Sequence, residues 1–404
     1  MRVLLADKLS DSVIVRLETA GCAVESRPEL KGETLTSAMA ELKPHVLVVR
    51  STKVTDADFD ASPTLELVVR AGAGYDNIDV SKASGSGVFV ANCPGKNSAA
   101  VAELAIGLML AMDRSIPDNV IDARNGVWNK ARYGSAAGLK GMTLGVIGLG
   151  NIGKEVIRRA HGLEMNVVGW SRSLTADMAD ALGIKAMDSV DDVASESDVV
   201  SLHVASNPDT KGLAGVSFFE AMKDGAFFIN TTRAAVVDES AMVRAMEEKG
   251  VRVGLDVFSD EPTAKSGTFS HDLASHPSVY LTHHIGASTG QAQEAIAQEA
   301  ARIIETYSRT GDVPNCVNIA THTPATHQLT VRHLDKVGVL SRVLNEISIA
   351  NWNVQEMENV VFDEARAACA YIRFNGFQNG FQDDSVVQRI SELEDILAVS
   401  IISL

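Results

Sequence analysis

The sequence predicts an α/β protein with two doubly wound parallel sheets and a smaller unit at its carboxyl end. Short runs of Val, Ile and Leu alternate with helix-like segments through residues 1–286. Strands that are covered by helices on both faces require such uninterrupted apolar runs. The runs form two separate sets, and the pattern changes after residue 320. We therefore expect three compact parts in the 404 residues.

The first two parts are predicted from the strand-like runs and from two long helical segments. The first set of strands is RVLLA, HVLVVRS, LELVVRAG and GVFVAN. The second set is LGVIGLG, NVVGWS, DVVSLHV, AFFINTT, VRVGLDVF and VYLTHH. The Ala- and Leu-rich residues 98–113 predict a helix that crosses between the lobes, and a helix after Gly290 should return to the first lobe. We therefore expect a discontinuous first lobe of residues 1–97 and 287–320, and a second lobe of residues 98–286.

The carboxyl-terminal part is predicted as a separate small unit. Residues 321–327 contain Pro and Thr, a composition that indicates a linker. Residues 328–404 then give strand, helix, two strands, helix and strand. This β-α-β-β-α-β order is typical of a ferredoxin-like unit.

Composition and charge exclude several classes of protein. Hydrophobic residues make up 46% and charged residues 22%, which is ordinary for globular proteins. The net charge of -16 disfavours nucleic acid and anionic membranes as partners. The apolar run Leu104–Met112 is far shorter than the ~20 residues of a membrane span, and the amino terminus lacks a cleavable signal pattern. The four Cys are scattered without CxxC spacing, so we expect a cytoplasmic protein with no metal site.

A glycine motif predicts a dinucleotide site in the second lobe. Gly148, Gly150 and Gly153 have G-x-G-x-x-G spacing directly after an apolar strand and before a helix. Glycines there allow a tight turn, close approach of the backbone to a pyrophosphate, and close packing of helix on strand. The second lobe is therefore expected to be a Rossmann-like domain that binds NAD or NADP, and the first lobe to bind the substrate.

The end of the next strand leaves the choice of cofactor open. Ser171 and Arg172 stand where an Asp or Glu would accept the ribose hydroxyls of NAD. A hydroxyl and a guanidinium can accept the 2′-phosphate of NADP, which favours NADP or dual use. In the alternative interpretation, Arg172 is a solvated cation over the adenine face and the cofactor is NAD.

Three further strand ends carry side chains suited to the chemistry of 2-hydroxy acids. Arg233, Glu261 and one of His283 and His284 follow apolar runs of the second set, and ligands of parallel sheets lie beyond the carboxyl ends of the strands. Reduction of a 2-keto acid needs a cation for the carboxylate and a proton donor for the carbonyl oxygen. The planar guanidinium of Arg233 suits binding of the carboxylate. A histidine with an adjacent carboxylate suits protonation of the carbonyl oxygen.

These motifs resemble the D-isomer-specific 2-hydroxyacid dehydrogenase family over the first 320 residues. The matching segments are GLGNIG, NTTRAAVVDE, LDVFSDEP and HIGAST. The resemblance implies that His284 is the acid/base, that Glu261 assists it, and that His283 packs or caps. It also implies that Asp256 contacts the nicotinamide carboxamide. Other implied cofactor residues are Asn151, Ile152, Thr231, Thr232 and Ala287. The sequence departs from the family pattern at Ala205 and Ala234 and in a longer loop between Glu261 and His284.

The first lobe and the beginning of the second resemble the 3-phosphoglycerate dehydrogenases within that family. The resemblance lies in the segments VVRSTKVT, VVRAGAGYDNID, NSAAVAELAIGLML and GVWNKARYGSAAGLKGMTLGVIGLG. It implies NAD(P)-dependent oxidation of 3-phosphoglycerate to 3-phosphohydroxypyruvate, the entry to serine biosynthesis. A substrate with a carboxylate and a phosphate needs several cationic contacts. The candidate substrate-binding residues are Arg50, Lys53, Ala73, Gly74, Lys130 and Arg132.

The carboxyl-terminal unit resembles the ACT domain, a module that senses amino acids. The resemblance implies that His333, Asp335 and Asn353 hold L-serine between paired units, and that the chain forms a homodimer or homotetramer. In the alternative interpretation the unit is an assembly element that binds nothing. Two other functions stay open: an NADPH-dependent glyoxylate or hydroxypyruvate reductase, and a nucleotide-sensing, corepressor-like binding protein.

Overall fold

The computed structural model describes residues 1–262, 267–376 and 384–404, and it divides into two compact units, Met1–Asn318 and Ile319–Leu404. The first unit contains two parallel sheets with helices on both faces, as the sequence predicts. Part of the long loop predicted between Glu261 and His284, residues 263–266, lies outside the described residues.

The first sheet has the strand order β2-β1-β3-β4-β5, with all pairs parallel. Its strands are β1 (Arg2–Leu5), β2 (Ala23–Ser26), β3 (Val46–Val49), β4 (Leu67–Arg70) and β5 (Phe89–Asn92). Its early helices are α1 (Asp11–Thr19), α2 (Glu33–Leu42), α3 (Asp56–Ala61) and α4 (Val80–Gly85). The late helix α13 (Gly290–Thr310) packs with α1 on one face through Ile296, Ile303 and Ile304. The helices α2, α3 and α4 cover the other face.

The second sheet has the strand order β12-β11-β10-β9-β6-β7-β8, also with all pairs parallel. Its strands are β6 (Thr143–Ile147), β7 (Asn166–Trp170), β8 (Lys185–Ala186), β9 (Val199–Leu202), β10 (Phe227–Asn230), β11 (Arg252–Leu255) and β12 (Val279–Leu281). Because the strands are parallel, the loops that follow them lie at one edge of the sheet.

Helices cover both faces of the second sheet. The first group is α5 (Ser98–Arg114), α8 (Asn151–Gly162) and α9 (Ala176–Leu182). The helices α6 (Ile116–Arg124) and α7 (Lys130–Tyr133) follow α5 in the chain and have no buried residues. The second group is α10 (Val190–Glu196), α11 (Val216–Ala221) and α12 (Glu239–Lys249). On the face covered by the second group, the core includes three aromatic rings in edge-to-face contact, those of Phe218, Phe219 and Phe228.

The second unit has the predicted β-α-β-β-α-β order. Its elements are β13 (His327–Leu334), α14 (Val339–Ile349), β14 (Asn353–Val361), β15 (Ala367–Asn375), α15 (Asp384–Ser391) and β16 (Ile396–Ser403). The strands form an antiparallel sheet in the order β14-β15-β13-β16. Leu329 and Ile372 from the sheet pack against Val343 and Ile347 of α14. None of the helices in the described ranges has both the length and the apolar character to span a bilayer.

Candidate active site

The glycine motif lies where β6 ends and α8 begins. Gly148 has a φ of +95°, and a Cβ added there would lie 2.6 Å from the carbonyl of His203. A Cβ on Gly153 would lie 2.1 Å from the carbonyl oxygen of Gly148. Gly150 differs, because a Cβ there would meet no atom within 4 Å. Two of the glycines are therefore required by the fold itself, and the third leaves open space at the amino end of α8.

The residues around this space can hold a dinucleotide. Asn151 and Ile152 form the first turn of α8, where free N–H groups favour a phosphate. Thr232 is held by Asn230, which accepts hydrogen bonds from its N–H at 2.9 Å and its hydroxyl at 2.8 Å. In the part of the chain that the structure describes, the buried hydroxyl oxygen of Thr231 has no hydrogen-bond partner. An unsatisfied buried hydroxyl is costly, so Thr231 suits a ligand that supplies the missing bond.

The side chain at the end of β7 is already paired. Nη1 of Arg172 donates to Oδ2 of Asp209 at 2.8 Å, and both side chains are largely exposed. The sequence motif indicates Ser171 and Arg172 but gives no sign of Asp209. The positive charge beside the end of β7 is therefore smaller than Arg172 alone would give, because Asp209 offsets it.

His284 and Glu261 form a hydrogen-bonded pair. Nδ1 of His284 lies 2.7 Å from Oε2 of Glu261, and the second oxygen of Glu261 accepts from the N–H of Phe258 at 3.0 Å. The side chain of His284 is 45% exposed, so the ring is open to a ligand. The neighbouring His283 is also exposed, and its ring has an edge-on contact with Phe269. Of the two adjacent histidines, His284 is thus the one that contacts the carboxylate.

Asp256 fixes the backbone around His284. Its carboxylate is 1% exposed and accepts from the hydroxyl of Thr282 at 2.6 Å and from the N–H groups of Ile285 and Gly286, each at 2.8 Å. His284 adopts a φ of +51°, which is uncommon for a residue other than glycine. The three hydrogen bonds stabilise this conformation and orient the ring. The predicted contact of Asp256 with the carboxamide stays a prediction, as does a cofactor contact of Ala287 in the following loop.

The pKa values of the pair shift in the directions that an ion pair requires. The hydrogen bond to Glu261 raises the pKa of His284 and outweighs burial and the nearby charge of Arg233, which both lower it. Burial acts to raise the pKa of Glu261, but the hydrogen bonds from His284 and from the Phe258 N–H lower it below its ordinary value. A carboxylate beside an imidazolium is the favoured state of the pair.

Arg233 reaches across from the second sheet to the loop that follows β4. Its Nη2 donates to Oδ1 of Asp76 at 3.0 Å, and its Nη1 donates to the carbonyl of Thr232 at 2.8 Å. A Cβ on Gly74 would lie 2.4 Å from Nη2, so glycine leaves the room that this guanidinium occupies. Burial acts to raise the pKa of Asp76, but Arg233 outweighs it and the pKa is lowered.

The guanidinium of Arg70 lies near that of Arg233. Burial, followed by repulsion from Arg233 and Arg50, lowers the pKa of Arg70 to about 10. A Cβ on Gly72 would lie 1.5 Å from Nη1 of Arg70, so the Gly72-Ala73-Gly74 turn packs directly on these cations. Arg70 and Asp76 were not among the candidates from sequence. Their positions at and just after the end of β4 were the signal that could have identified them.

The loop after β3 carries Arg50 and Lys53 just beyond the carboxyl end of that strand. The buried carboxylate of Asp7 accepts from the backbone N–H groups of Arg50, Ser51 and Thr52 at 2.7, 3.0 and 3.0 Å. Burial opposes ionisation of Asp7, but these hydrogen bonds lower its pKa. The loop is therefore held firmly, and Lys53 is exposed. Ala73 is joined to the end of β5, since its carbonyl accepts from the Asn92 amide at 2.6 Å.

The candidates Lys130 and Arg132 come from the second lobe. Both belong to α7, and Arg132 pairs with Asp122 at 3.3 Å. Arg132 lines a cavity of about 480 Å³ together with Phe227 and Arg252, the first residues of β10 and β11. The amino ends of these strands face away from the edge that carries Arg233 and His284. The predicted contact of Lys130 and Arg132 with the substrate stays a prediction.

The candidate effector residues of the second unit differ in accessibility. His333 is 2% exposed, and its ring nitrogens contact the Leu334 carbonyl at 2.8 Å and the Asn359 side chain at 3.1 Å. Asp335 and Asn353 are exposed. The ring of His333 is thus engaged inside the unit, whereas the other two side chains are open to solvent.

Comparisons with known proteins agree with the geometry of the first unit. Residues 106–286 match the family model described as D-isomer specific 2-hydroxyacid dehydrogenase, NAD binding domain. The chain is 36% identical over 321 residues to a D-3-phosphoglycerate dehydrogenase of Methanocaldococcus jannaschii, covering 79% of this chain and 60% of that protein. It is 34% identical over 273 residues to a glyoxylate reductase of Thermococcus litoralis, covering 66% of this chain and 81% of that protein.

Comparison with solved structures also finds 2-hydroxyacid dehydrogenases. The crystal structure of NAD⁺-bound 3-phosphoglycerate dehydrogenase from Entamoeba histolytica has a TM-score of 0.65 and 26% identity, covering 79% of this chain and 99% of that one. The matched part spans only 60%, 64% and 48% of the first three phosphoglycerate dehydrogenases found by sequence. The chain is also 34% identical over 371 residues to a D-3-phosphoglycerate dehydrogenase of Mycobacterium bovis, covering 67% of that protein. The family-model match and these identities show that the chain belongs to the D-isomer-specific 2-hydroxyacid dehydrogenase family.

Proposed function

We propose that the chain is an NAD(P)-dependent dehydrogenase that interconverts a 2-hydroxy acid and its 2-oxo acid. The observation that carries the proposal is the 2.7 Å contact between His284 and Glu261, at the same sheet edge as Arg233 and the glycine loop. This chemistry requires an acid/base pair, a cation that binds the substrate carboxylate, and a binding site for the dinucleotide.

The proton is handled by His284 in this proposal. Because its Nδ1 is bonded to Glu261, Nε2 is the nitrogen left to exchange a proton with the substrate hydroxyl. The nicotinamide cofactor, when bound, supplies the acceptor for hydride. In the oxidation, Nε2 would take the proton that the substrate hydroxyl loses as the carbonyl forms. Glu261 stabilises the resulting imidazolium, and in the reverse direction the same nitrogen returns the proton.

The substrate is held by cations in this proposal. Arg233 anchors the carboxylate through two parallel hydrogen bonds, in exchange for its present contact with Asp76. Arg50, Arg70 and Lys53 add positive charge on the first lobe. A substrate with two anionic groups uses such a surface better than a small monoanion does. We therefore propose 3-phosphoglycerate as the substrate and 3-phosphohydroxypyruvate as the product, which would place the chain in serine biosynthesis. The names of its phosphoglycerate dehydrogenase relatives support this assignment.

One assay tests the substrate. Rates are measured with 3-phosphoglycerate and NAD⁺ or NADP⁺, and with glyoxylate and hydroxypyruvate and NADH or NADPH. The second candidate, a glyoxylate or hydroxypyruvate reductase, is favoured by the relative from Thermococcus litoralis, of which 81% is covered. A higher kcat/KM for glyoxylate would replace the main assignment. Tight dinucleotide binding without turnover of any 2-hydroxy or 2-oxo acid would indicate a nucleotide-sensing, corepressor-like protein instead.

The second unit is proposed to be an ACT domain that binds L-serine through Asp335 and Asn353. Their exposure and the β-α-β-β-α-β order support this role. His333 would have to exchange its contact with Asn359 for the ligand. Serine should raise the melting temperature of the full chain and lower its rate, and Asp335→Ala should abolish both effects. No change in either quantity with serine would leave the unit as an assembly element.

A further inference from the structure

The loop after β7, beside the proposed nucleotide site, has no acidic residue at Ser171 or Arg172, but a carboxylate from another loop lies next to it. The carbonyl of Trp170, the last residue of β7, accepts from the N–H of Gly148 at 2.9 Å, so Ser171 and Arg172 lie beside the glycine loop. In this fold an acidic residue at that strand end binds the ribose hydroxyls of NAD, and an arginine accommodates the 2′-phosphate of NADP. On this evidence alone, Arg172 would favour NADP.

Asp209 approaches the same place from another loop. In the sheet, β9 and β7 lie on either side of β6, and Asp209 belongs to the loop that follows β9. Its Oδ2 lies 2.8 Å from Nη1 of Arg172. The ion pair therefore connects two loops that flank the strand leading into the glycine motif.

The backbone that carries Asp209 is fixed by its neighbours. The side-chain oxygen of Asn207 accepts from the N–H groups of Asp209 at 3.0 Å and Thr210 at 3.2 Å. The hydroxyl of Thr210, which is buried, donates to the carbonyl of Ala205 at 2.6 Å. These contacts close a tight turn, so the carboxylate of Asp209 starts from a defined position within reach of Arg172.

We propose that Asp209 is a cofactor-specificity residue that disfavours the 2′-phosphate of NADP at a site where the end of β7 has no acidic group. It occupies Arg172 and adds a negative charge, so a 2′-phosphate must compete for the guanidinium and is repelled, whereas a free ribose hydroxyl is not. The chain therefore prefers NAD over NADP despite its Ser171-Arg172 sequence. This inference rests on the proposed dinucleotide binding. Because the two side chains are 67% and 71% exposed, solvent limits the effect to about three- to tenfold in affinity.

The test measures binding rather than turnover. Calorimetry with the full chain gives the Kd of adenosine 2′,5′-bisphosphate and of 5′-AMP, which differ only in the 2′-phosphate. Asp209→Asn should tighten the bisphosphate about three- to tenfold and leave AMP unchanged. In an Arg172→Gln background the same substitution should have a smaller effect, because it then removes only the repulsion by Asp209 and releases no cation. Asp188→Asn, an exposed position of the same lobe, is the matched control for net charge and should change neither Kd.

The outcomes separate this inference from the proposed function. Unchanged affinity for the bisphosphate in Asp209→Asn, equal tightening of both ligands, or the same gain in Asp188→Asn would each overturn the specificity role. If wild-type protein binds NADH and AMP normally in that experiment, the proposed function stands without it. If wild-type protein binds neither NADH nor NADPH, the proposed function itself fails and the inference fails with it.

Discussion

Nδ1 of His284 and Oε2 of Glu261 lie 2.7 Å apart although 23 residues separate them in the chain. The contact decides between two adjacent histidines that the sequence alone could not distinguish by chemistry. Among the described residues, His284 is the one of the two that contacts a carboxylate, and the buried Asp256 holds the turn that presents it. His283 instead contacts the ring of Phe269.

The first prediction is that His284→Ala lowers kcat by about 10² to 10⁴, because general acid/base catalysis contributes on that order. The Kd for NADH, measured by fluorescence titration, should change little. His283→Ala is the matched control, and it should retain most of the activity. Equal losses of kcat in the two variants would contradict the assignment of His284.

The second prediction concerns pH. Glu261 is the main cause of the raised pKa of His284, so Glu261→Gln should lower that pKa. Reduction of the 2-oxo acid needs protonated His284, and its rate should fall as pH rises through this pKa. Oxidation needs the neutral ring, and its rate should rise through the same pKa. Profiles of kcat/KM against pH should therefore move to lower pH in Glu261→Gln in both directions. A shift to higher pH, or none, would show that Glu261 does not control His284.

Most strands could be predicted from sequence because burial on both faces leaves a continuous apolar run. Val46–Val49 and Phe227–Asn230 are fully buried examples. The strands β2 and β8 were missed, and both lie at sheet edges with mostly exposed residues. An edge strand pairs through its backbone, and its side chains need not be apolar.

The site was predictable where a motif fixes both residue type and position, as for Gly148 and His284. It was not predictable where a contact joins distant segments. Asp76 and Arg233 are 157 residues apart, and neither periodicity nor spacing indicates such a pair. Residue type alone indicated Lys130 and Arg132 for an anionic substrate. Arg132 of α7 lines the cavity at the amino ends of β10 and β11, so this substrate contact stays a prediction.

The third prediction is that Arg233 binds the substrate carboxylate. Arg233→Ala should lower kcat/KM about 10- to 100-fold, since a hydrogen bond to a charged group contributes about 1.5–3 kcal/mol. Arg233→Lys should recover only part of this loss, because a single ammonium cannot make the bidentate contact. Steady-state kinetics with varied substrate measure both variants. Full recovery in the lysine variant would mean that charge alone is required.

The fourth prediction concerns assembly. Trp128 is 89% exposed and Ile121 is 55% exposed in the single chain, and large aromatic residues are typical anchors of interfaces. The helix α5, in contrast, is already mostly buried within the single chain. We therefore expect a homo-oligomer that buries Trp128, and Trp128→Ser should shift sedimentation towards monomer. A wild-type monomer at micromolar concentration would contradict this.

The fifth prediction separates the glycines of the cofactor loop by their surroundings. Gly153→Ala places a Cβ 2.1 Å from the Gly148 carbonyl oxygen, so the chain must shift and the free energy of unfolding should fall by about 1–3 kcal/mol. Gly150→Ala meets no atom within 4 Å and should cost at most about 1 kcal/mol at this helix end. Its methyl group would instead project into the space proposed for the pyrophosphate, so the affinity for NADH should fall at least about tenfold. Chemical denaturation and NADH titration of both variants measure the two effects. If Gly150→Ala binds NADH normally, the open space beside Gly150 is not the phosphate site.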